Sequence, residues 1–76
     1  MNKDRRKTIQ SVLNGLLDLR EQLEGARDEE QSAFDNLPEG LQGAEKGIAM
    51  ETAVSSLEEA LDAFDDIEAA LQQAME

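Results

Sequence analysis

The sequence predicts an all-α fold, an antiparallel two-helix hairpin of coiled-coil type, from three observations. Apolar residues recur at alternating steps of three and four in two long segments, which is the spacing of one helical face. Between the segments lies the only dense group of helix breakers, around Pro38. The chain has 76 residues, with two Phe and neither Trp nor Tyr. Its core must therefore be a thin helix-helix seam, and we expect a single domain over residues 1–76.

The first segment predicts a helix from about Lys3 to Asn36. Eight of the nine positions in its stripe are apolar, and Glu30 is the exception. The stripe comprises Ile9, Val12, Leu16, Leu19, Leu23, Ala26, Glu30, Ala33 and Leu37. We expect Glu30 to lie at the edge of the seam or to meet Lys46 across the turn, because a buried, unpaired carboxylate is costly.

A turn over residues 37–43 follows, because Pro38 biases Leu37 away from helical geometry. Residues 38–42 could add one short helical turn. Phe34 and Leu37 are expected to plug the closed end of the hairpin. The side chains of Asp35 and Asn36 are expected to hydrogen-bond the turn backbone. Five residues thus receive a structural role at the turn: Phe34, Asp35, Asn36, Leu37 and Pro38.

The second segment predicts a helix from about Ala44 to Met75, with Gly43 as its N-cap and Gly47 as a weak point near its start. Every position of its stripe is apolar: Met50, Ala53, Leu57, Ala60, Phe64, Ile67, Leu71 and Ala74. Two helices joined by a short turn fold back antiparallel, because this buries both stripes.

Some apolar residues lie beside the two stripes. These residues widen the stripes and need further cover: Leu13, Leu17, Val54 and Leu61. A second copy could supply that cover, so we predict a homodimer that forms a four-helix bundle. The alternative is that these residues dock a different protein.

The charge is strongly acidic and unevenly distributed. The net charge is -11, from 18 acidic and 7 basic residues. A basic group lies at the start of the chain (Lys3, Arg5, Arg6 and Lys7), where the hairpin would bring it beside Glu68 and Glu76. From Gly47 onward there are eight acidic residues and no basic one. This pattern predicts a protein partner with a basic surface, no direct nucleic-acid binding and no membrane association.

Catalytic and metal chemistry find few suitable groups. The chain has no His and no Cys, which excludes zinc sites built from those ligands and the usual nucleophile-base pairs. The acidic residues around Asp65 lack the alternate spacing of a calcium-binding loop. We therefore predict no enzyme activity, no catalytic residue, no metal and no cofactor. No apolar run approaches the length of a membrane span.

The outer side of the second helix is the candidate partner-binding site. Six acidic residues form it: Glu51, Glu58, Glu59, Asp62, Asp65 and Asp66. Between Glu51 and Glu68 the carboxylates recur about every 4 Å along the axis, close to the ~3.4 Å spacing of phosphates on one DNA strand. The functional interpretation is a DNA mimic, and the structural one is a solvated coiled-coil exterior.

The segment around the turn carries a resemblance. Residues 29–42 read Glu-Glu-Gln-Ser-Ala-Phe-Asp-Asn-Leu-Pro-Glu-Gly-Leu-Gln. This resembles small acidic proteins of tailed phages and prophages that share a core of the form Glu-x-Gln-x-Ala-Phe-Asp-Asn-Leu-Pro-Glu-x-Leu-Gln. The likeness covers about Glu29 to Met50, and Gly40 and Gly43 depart from it. It implies a phage or mobile-element origin and a two-helix layout. Because the sequence has no long apolar run, we expect a cytoplasmic location, in a bacterial host cell if the origin is a phage.

Two functional hypotheses follow. The first is a phage-type inhibitor, such as an anti-CRISPR or other anti-defence protein, that binds a nucleic-acid-processing protein through the acidic residues of the second helix. The second is a structural coiled-coil adaptor or assembly protein that binds through its apolar seam. The first predicts binding that weakens steeply with salt, and the second predicts binding that does not.

Overall fold

Three helices make up the chain in a computed structural model that describes residues 1–76. They are α1 (Lys3–Asp35), α2 (Glu39–Gln42) and α3 (Glu45–Ala74), and there is no strand. The predicted all-helical class is confirmed. The molecule measures 58 × 15 × 12 Å, and α1 and α3 pack along each other.

The first helix begins and ends at residues whose chemistry accounts for its bounds. Asn2 is the N-cap, and its Oδ1 accepts a hydrogen bond from the backbone N–H of Arg5 at 2.8 Å. Asp35 is the last helical residue, since Pro38 stands three positions later and removes a backbone donor. The N–H of Asn36 still donates to the carbonyl of Ser32 at 3.0 Å and closes the final turn.

The connection between the long helices contains α2. Pro38 is the N-cap of this short helix, and its carbonyl accepts from the N–H groups of Leu41 at 2.8 Å and Gln42 at 3.2 Å. Gly43 ends α2 with φ -87°, and Ala44, not Gly43, is the N-cap of α3. The predicted cap was therefore wrong by one residue, because α2 extends to Gln42 and uses Gly43 for its own end. No side chain caps the start of α3.

Gly47 is required where α3 passes the connection. It is one of the four buried residues of the chain. A Cβ at this position would lie 2.7 Å from the carbonyl oxygen of Leu41 and closer still to the carbonyl of Gln42. Glycine is thus needed because the backbones approach each other closely. The sequence marked Gly47 only as a weak helix former.

The seam between α1 and α3 keeps one of the two predicted rows on each helix, and its other row lies one residue later than predicted. Three side chains form the buried core: Leu13, Val54 and Leu61. On α1 the residues turned toward α3 are Ile9, Leu13, Leu16, Arg20, Leu23, Arg27, Glu30, Phe34 and Leu37. On α3 they are Gly47, Met50, Val54, Leu57, Leu61, Phe64, Glu68, Leu71 and Met75. Both series step by threes and fours, as a coiled-coil seam requires.

Several apolar residues predicted to lie beside the seam are therefore inside it, and several predicted to lie inside it are outside. Leu13, Val54 and Leu61 were expected to need cover from a second chain, yet they are the core of this one. Leu17 is exposed. Six stripe residues that were expected in the seam are also exposed, and the larger three are Val12, Leu19 and Ile67. The prediction was wrong because it followed the most apolar stripe, whereas the observed seam of α1 includes two arginines.

Candidate functional site

The acidic residues predicted to contact a partner lie on α3 outside its seam with α1, and three of them, Glu51, Glu58 and Asp65, lie in the row next to that seam. We call Glu51, Glu58, Glu59, Asp62, Asp65 and Asp66 the acidic face; all six are exposed. Two long helical turns separate Glu51 from Glu58, and the other four members follow within two turns. Glu51 is therefore isolated, and the other five carboxylates form a dense group between Glu58 and Asp66.

Most of these carboxylates have no partner within the chain. Glu51, Glu58, Glu59, Asp62 and Asp66 take part in none of the ion pairs, of which the structure contains three. Their charges act together on the surrounding solvent, because no lysine or arginine of α3 follows Lys46. Such a field raises the local concentration of cationic groups and speeds their approach.

Asp65 differs from the rest of the acidic face because it is tied to α1. Its Oδ1 accepts from Nε of Arg20 at 2.8 Å and its Oδ2 from NH2 at 3.3 Å. The remaining arginine nitrogen, NH1, donates to Oε2 of Glu24 at 2.7 Å. The hydrogen bond to Asp65, more than the charge of Glu24, raises the pKa of Arg20 above its ordinary value. Asp65 thus braces the two helices as well as adding to the negative surface.

One acidic residue of the same run lies elsewhere. Glu68 is half-buried at the seam, and its Oε1 accepts from Nε2 of Gln72 at 3.5 Å. The run of carboxylates that began at Glu51 therefore ends on the outer surface at Asp66. This shortens the region in which the carboxylate spacing resembles a phosphate backbone.

The turn residues singled out in the sequence surround the connection, and a further residue joins them. Phe34 and Leu37 are half-buried, whereas Asp35, Asn36 and Pro38 are exposed. Oδ1 of Asp35 accepts from Nε2 of Gln31 at 3.0 Å. The side chain that bonds the turn backbone is that of Gln42, whose Nε2 donates to the carbonyls of Leu37 at 3.2 Å and Phe34 at 3.4 Å. Nothing in the local sequence indicates this role for Gln42 except a side-chain amide two residues after Gly40.

The charges at the two ends of the molecule are not paired. Lys3, Arg5, Arg6 and Lys7 form no ion pair with Glu68 or Glu76, and Glu30 forms none with Lys46. Glu30 is half-buried at the seam. A shallow depression at the basic end is lined by Asp4, Lys7, Thr8, Ser11 and Val12. These cations remain available to solvent and to other molecules.

The acidic face is a charged surface along a rod-shaped molecule, and its side chains do not converge on a common point. No three carboxylates come together in a way that could hold a metal ion. None of the helices has both the length and the apolar character needed to cross a membrane. No family model matches this chain, and no characterised protein or solved structure is detectably similar to it.

Proposed function

We propose that the chain is a non-catalytic interaction protein that blocks a basic site on a nucleic-acid-processing protein through the acidic face of α3. In this proposal the chain is an antiparallel helical hairpin that pairs with a second copy, and the acidic face mimics the charge of a DNA strand. A phage-encoded inhibitor of a host defence protein would act in this way.

The observation that carries the proposal is the set of unpaired carboxylates on one rigid helix. Five members of the acidic face have no cationic partner in the chain, and α3 runs unbroken from Glu45 to Ala74. A solvated exterior usually mixes acidic and basic residues for support within the helix. The exposed side of α3 carries no cation after Lys46. From Glu58 to Asp66 it holds five carboxylates over roughly 12 Å of helix, a density that suits a phosphate-binding surface.

The contacts between α1 and α3 support the hairpin. A helix of 33 residues is roughly 50 Å long, and the longest dimension of the molecule is 58 Å. The two long helices must therefore lie side by side. Arg20 bonds Asp65 across 45 residues of sequence, and α2 supplies a connection short enough for an antiparallel return.

The second candidate function is an adaptor that binds through apolar side chains. The exposure of Val12, Leu19 and Ile67 favours it. The two candidates differ in salt dependence. Binding by the acidic face weakens as salt rises, because it releases ions from a charged partner, whereas apolar binding does not weaken.

The test compares two variants that remove the same charge from different helices. The first neutralises α3 with Glu51→Gln, Glu58→Gln, Glu59→Gln and Asp62→Asn. The matched control neutralises exposed acids of α1 with Asp18→Asn, Glu21→Gln, Glu29→Gln and Asp35→Asn. Each immobilised variant and the parent chain are exposed to a bacterial lysate, and the retained proteins are eluted with increasing salt and identified by mass.

The expected result is a DNA- or RNA-binding protein retained by the parent chain and by the α1 variant, and lost with the α3 variant. Duplex DNA should compete for it, because both ligands would occupy one basic groove. Equal retention by all three chains would contradict the proposal. So would retention that persists at high salt, which would favour the adaptor. Circular dichroism of each variant confirms that the helices are intact.

A further inference from the structure

The offset of the seam leaves a row of apolar and small residues beside it on each long helix. After a basic first member, Arg5 on α1 and Lys46 on α3, the row on α1 is Val12, Leu19, Ala26 and Ala33, and the row on α3 is Ala53, Ala60, Ile67 and Ala74. Ala53 and Ala60 are half-buried and the other six are exposed. Each row lies one residue before a row of the seam, at Leu13 on α1 and Val54 on α3.

The two rows lie on the same side of the molecule if the helices are antiparallel. Seen from one end, two antiparallel helices wind in opposite senses, so the same offset from the seam turns both rows to one side. The ion pair between Arg20 and Asp65 shows which residues of α1 lie opposite which residues of α3. It places Leu19 near Ile67, and steps of seven then bring Ala26 near Ala60 and Ala33 near Ala53. We call this surface the uncharged face.

The uncharged face lacks the carboxylates that cover the rest of α3. The next row outward on α3 is also free of charge: Ala49, Ser56, Ala63 and Ala70. From Ala49 to Ala74 every acidic residue of α3 lies on the other sides of the helix. Glu29 is the one acidic residue in the corresponding outer row of α1, which otherwise holds Thr8, Gly15, Gln22 and Asn36.

We propose that a second copy of this chain covers the uncharged face, so that the two acidic faces of the dimer point outward. The inference rests on the hairpin and the pairing proposed above, and it assigns the surface through which the pairing occurs. The sequence alone had placed that surface at Leu13, Leu17, Val54 and Leu61, three of which form the core of one chain.

The surface area supports an additional partner. A compact monomer of 8.4 kDa exposes about 4,600 Å², whereas this chain exposes 5505 Å². A side of 58 by 15 Å has roughly 900 Å², close to the ~800 Å² per partner of a standard interface. The excess surface and the size of one face are thus of the same order.

Charge and shape identify the partner as a second copy. Carboxylates on both copies repel each other at short range, so a broad contact between two copies is favoured on the surface that lacks them. A two-fold interface brings the same surface together from both sides. On this face the larger side chains of α1, Val12 and Leu19, can pack on the alanine row of the other copy's α3, where small residues permit a close approach.

The test uses two leucines of nearly equal exposure on different sides of α1. Leu19 is 52% exposed and belongs to the uncharged face, whereas Leu17 is 50% exposed and lies in the same row as Glu24, on the side of the Arg20–Asp65 bond. Leu19→Glu and Leu17→Glu make the same chemical change. Multi-angle light scattering measures the mass of each chain over a dilution series, with refractive-index detection because the chain has no Trp or Tyr.

The parent chain and L17E are expected to have the mass of a dimer. L19E is expected to be a monomer over the same concentrations, with a dissociation constant raised by about a hundredfold or more, because symmetry buries two carboxylates without partners. The helix content of all three chains, measured by circular dichroism at the lowest concentration of the series, should be the same. I67E on α3 provides the second variant and should match L19E.

Three results would overturn the inference. A monomeric parent chain would remove both the second copy and the pairing in the proposed function, and would leave this face to a different partner. A dimeric parent with L19E still dimeric would remove only the assignment of this face. Dissociation by L17E in place of L19E would move the interface to the opposite side. None of these outcomes affects partner retention by the acidic face, which is measured separately.

Discussion

Arg20 of α1 and Asp65 of α3 form a two-pronged ion pair, with Nε 2.8 Å from Oδ1 and NH2 3.3 Å from Oδ2. Arg20 also holds Glu24 on its own helix. This is the one ion pair that joins the two long helices. Both side chains are partly exposed, so the pair contributes little to the stability of the fold. Its main effect is to fix the axial alignment of α1 relative to α3.

Asp65→Asn is expected to lower the midpoint of thermal unfolding slightly, because it removes the charge that Arg20 binds. Asp66→Asn is the matched control: it removes an unpaired charge at the next position and should leave the midpoint unchanged or raise it, since the surface is already negative. Circular dichroism at low salt measures both. The difference between the variants should shrink at high salt, and identical behaviour at low salt would contradict a bracing role for Asp65.

Leu13→Ala is expected to destabilise the chain by about 2 to 5 kcal/mol, because it removes a buried side chain and leaves a cavity. Leu13 is 4% exposed. Leu17→Ala, at an exposed position one helical turn later, should change stability by less than about 0.5 kcal/mol. Urea unfolding followed by circular dichroism gives both values. A larger loss of stability for Leu17→Ala than for Leu13→Ala would contradict a seam that passes through Leu13.

Gly47→Ala is expected to destabilise the chain by about 1 to 3 kcal/mol, although alanine is the better helix former. The new Cβ would press on the carbonyls of Leu41 and Gln42. Gly25→Ala is the control, because a Cβ there meets open space. It should stabilise α1 by about 0.5 to 1 kcal/mol. If Gly47→Ala stabilised the chain as Gly25→Ala is expected to do, α2 would not pack on α3 at this point.

Ala44→Ser is expected to stabilise the chain by about 1 kcal/mol, because a serine hydroxyl can accept from the free N–H groups at the start of α3. Ala44 already has the extended geometry of an N-cap, with φ -81° and ψ 172°. Ala49→Ser, in the exposed interior of the same helix, should cost up to about 0.7 kcal/mol. Thermal or urea unfolding distinguishes them, and a destabilising Ala44→Ser would show that the helix starts elsewhere.

The all-helical class could be predicted from the sequence because period and helix breakers are local signals. The register of the seam could not. The most apolar series on α1 passes through Val12 and Leu19, whereas the observed one passes through Leu13, Arg20 and Arg27. Long arginine side chains can lay their aliphatic stems along a seam while their charged ends reach carboxylates. A count of apolar residues gives such positions no weight.

Part of the candidate site could also be predicted. The exposure of Glu51, Glu58 and Asp62 follows from their spacing relative to the apolar stripe, and all three remain exposed although one row of the seam differs from the predicted one. Glu68 lies closer to the seam, so the same difference moved it from the outer surface to a half-buried position. The roles of Gly47 and Gln42 depend on how the connection packs, which no local pattern records.

The rod-like outline separates the charges of the molecule into regions that act alone. At physiological ionic strength the Debye length is about 8 Å, whereas the molecule is 58 Å long. The basic residues near Lys7 and the carboxylates near Glu51 lie many such lengths apart along the axis. An approaching molecule therefore responds to the nearest pole, attractive or repulsive, and not to the total of -11. The orientation in which another macromolecule first meets the rod is thereby selected before any contact forms.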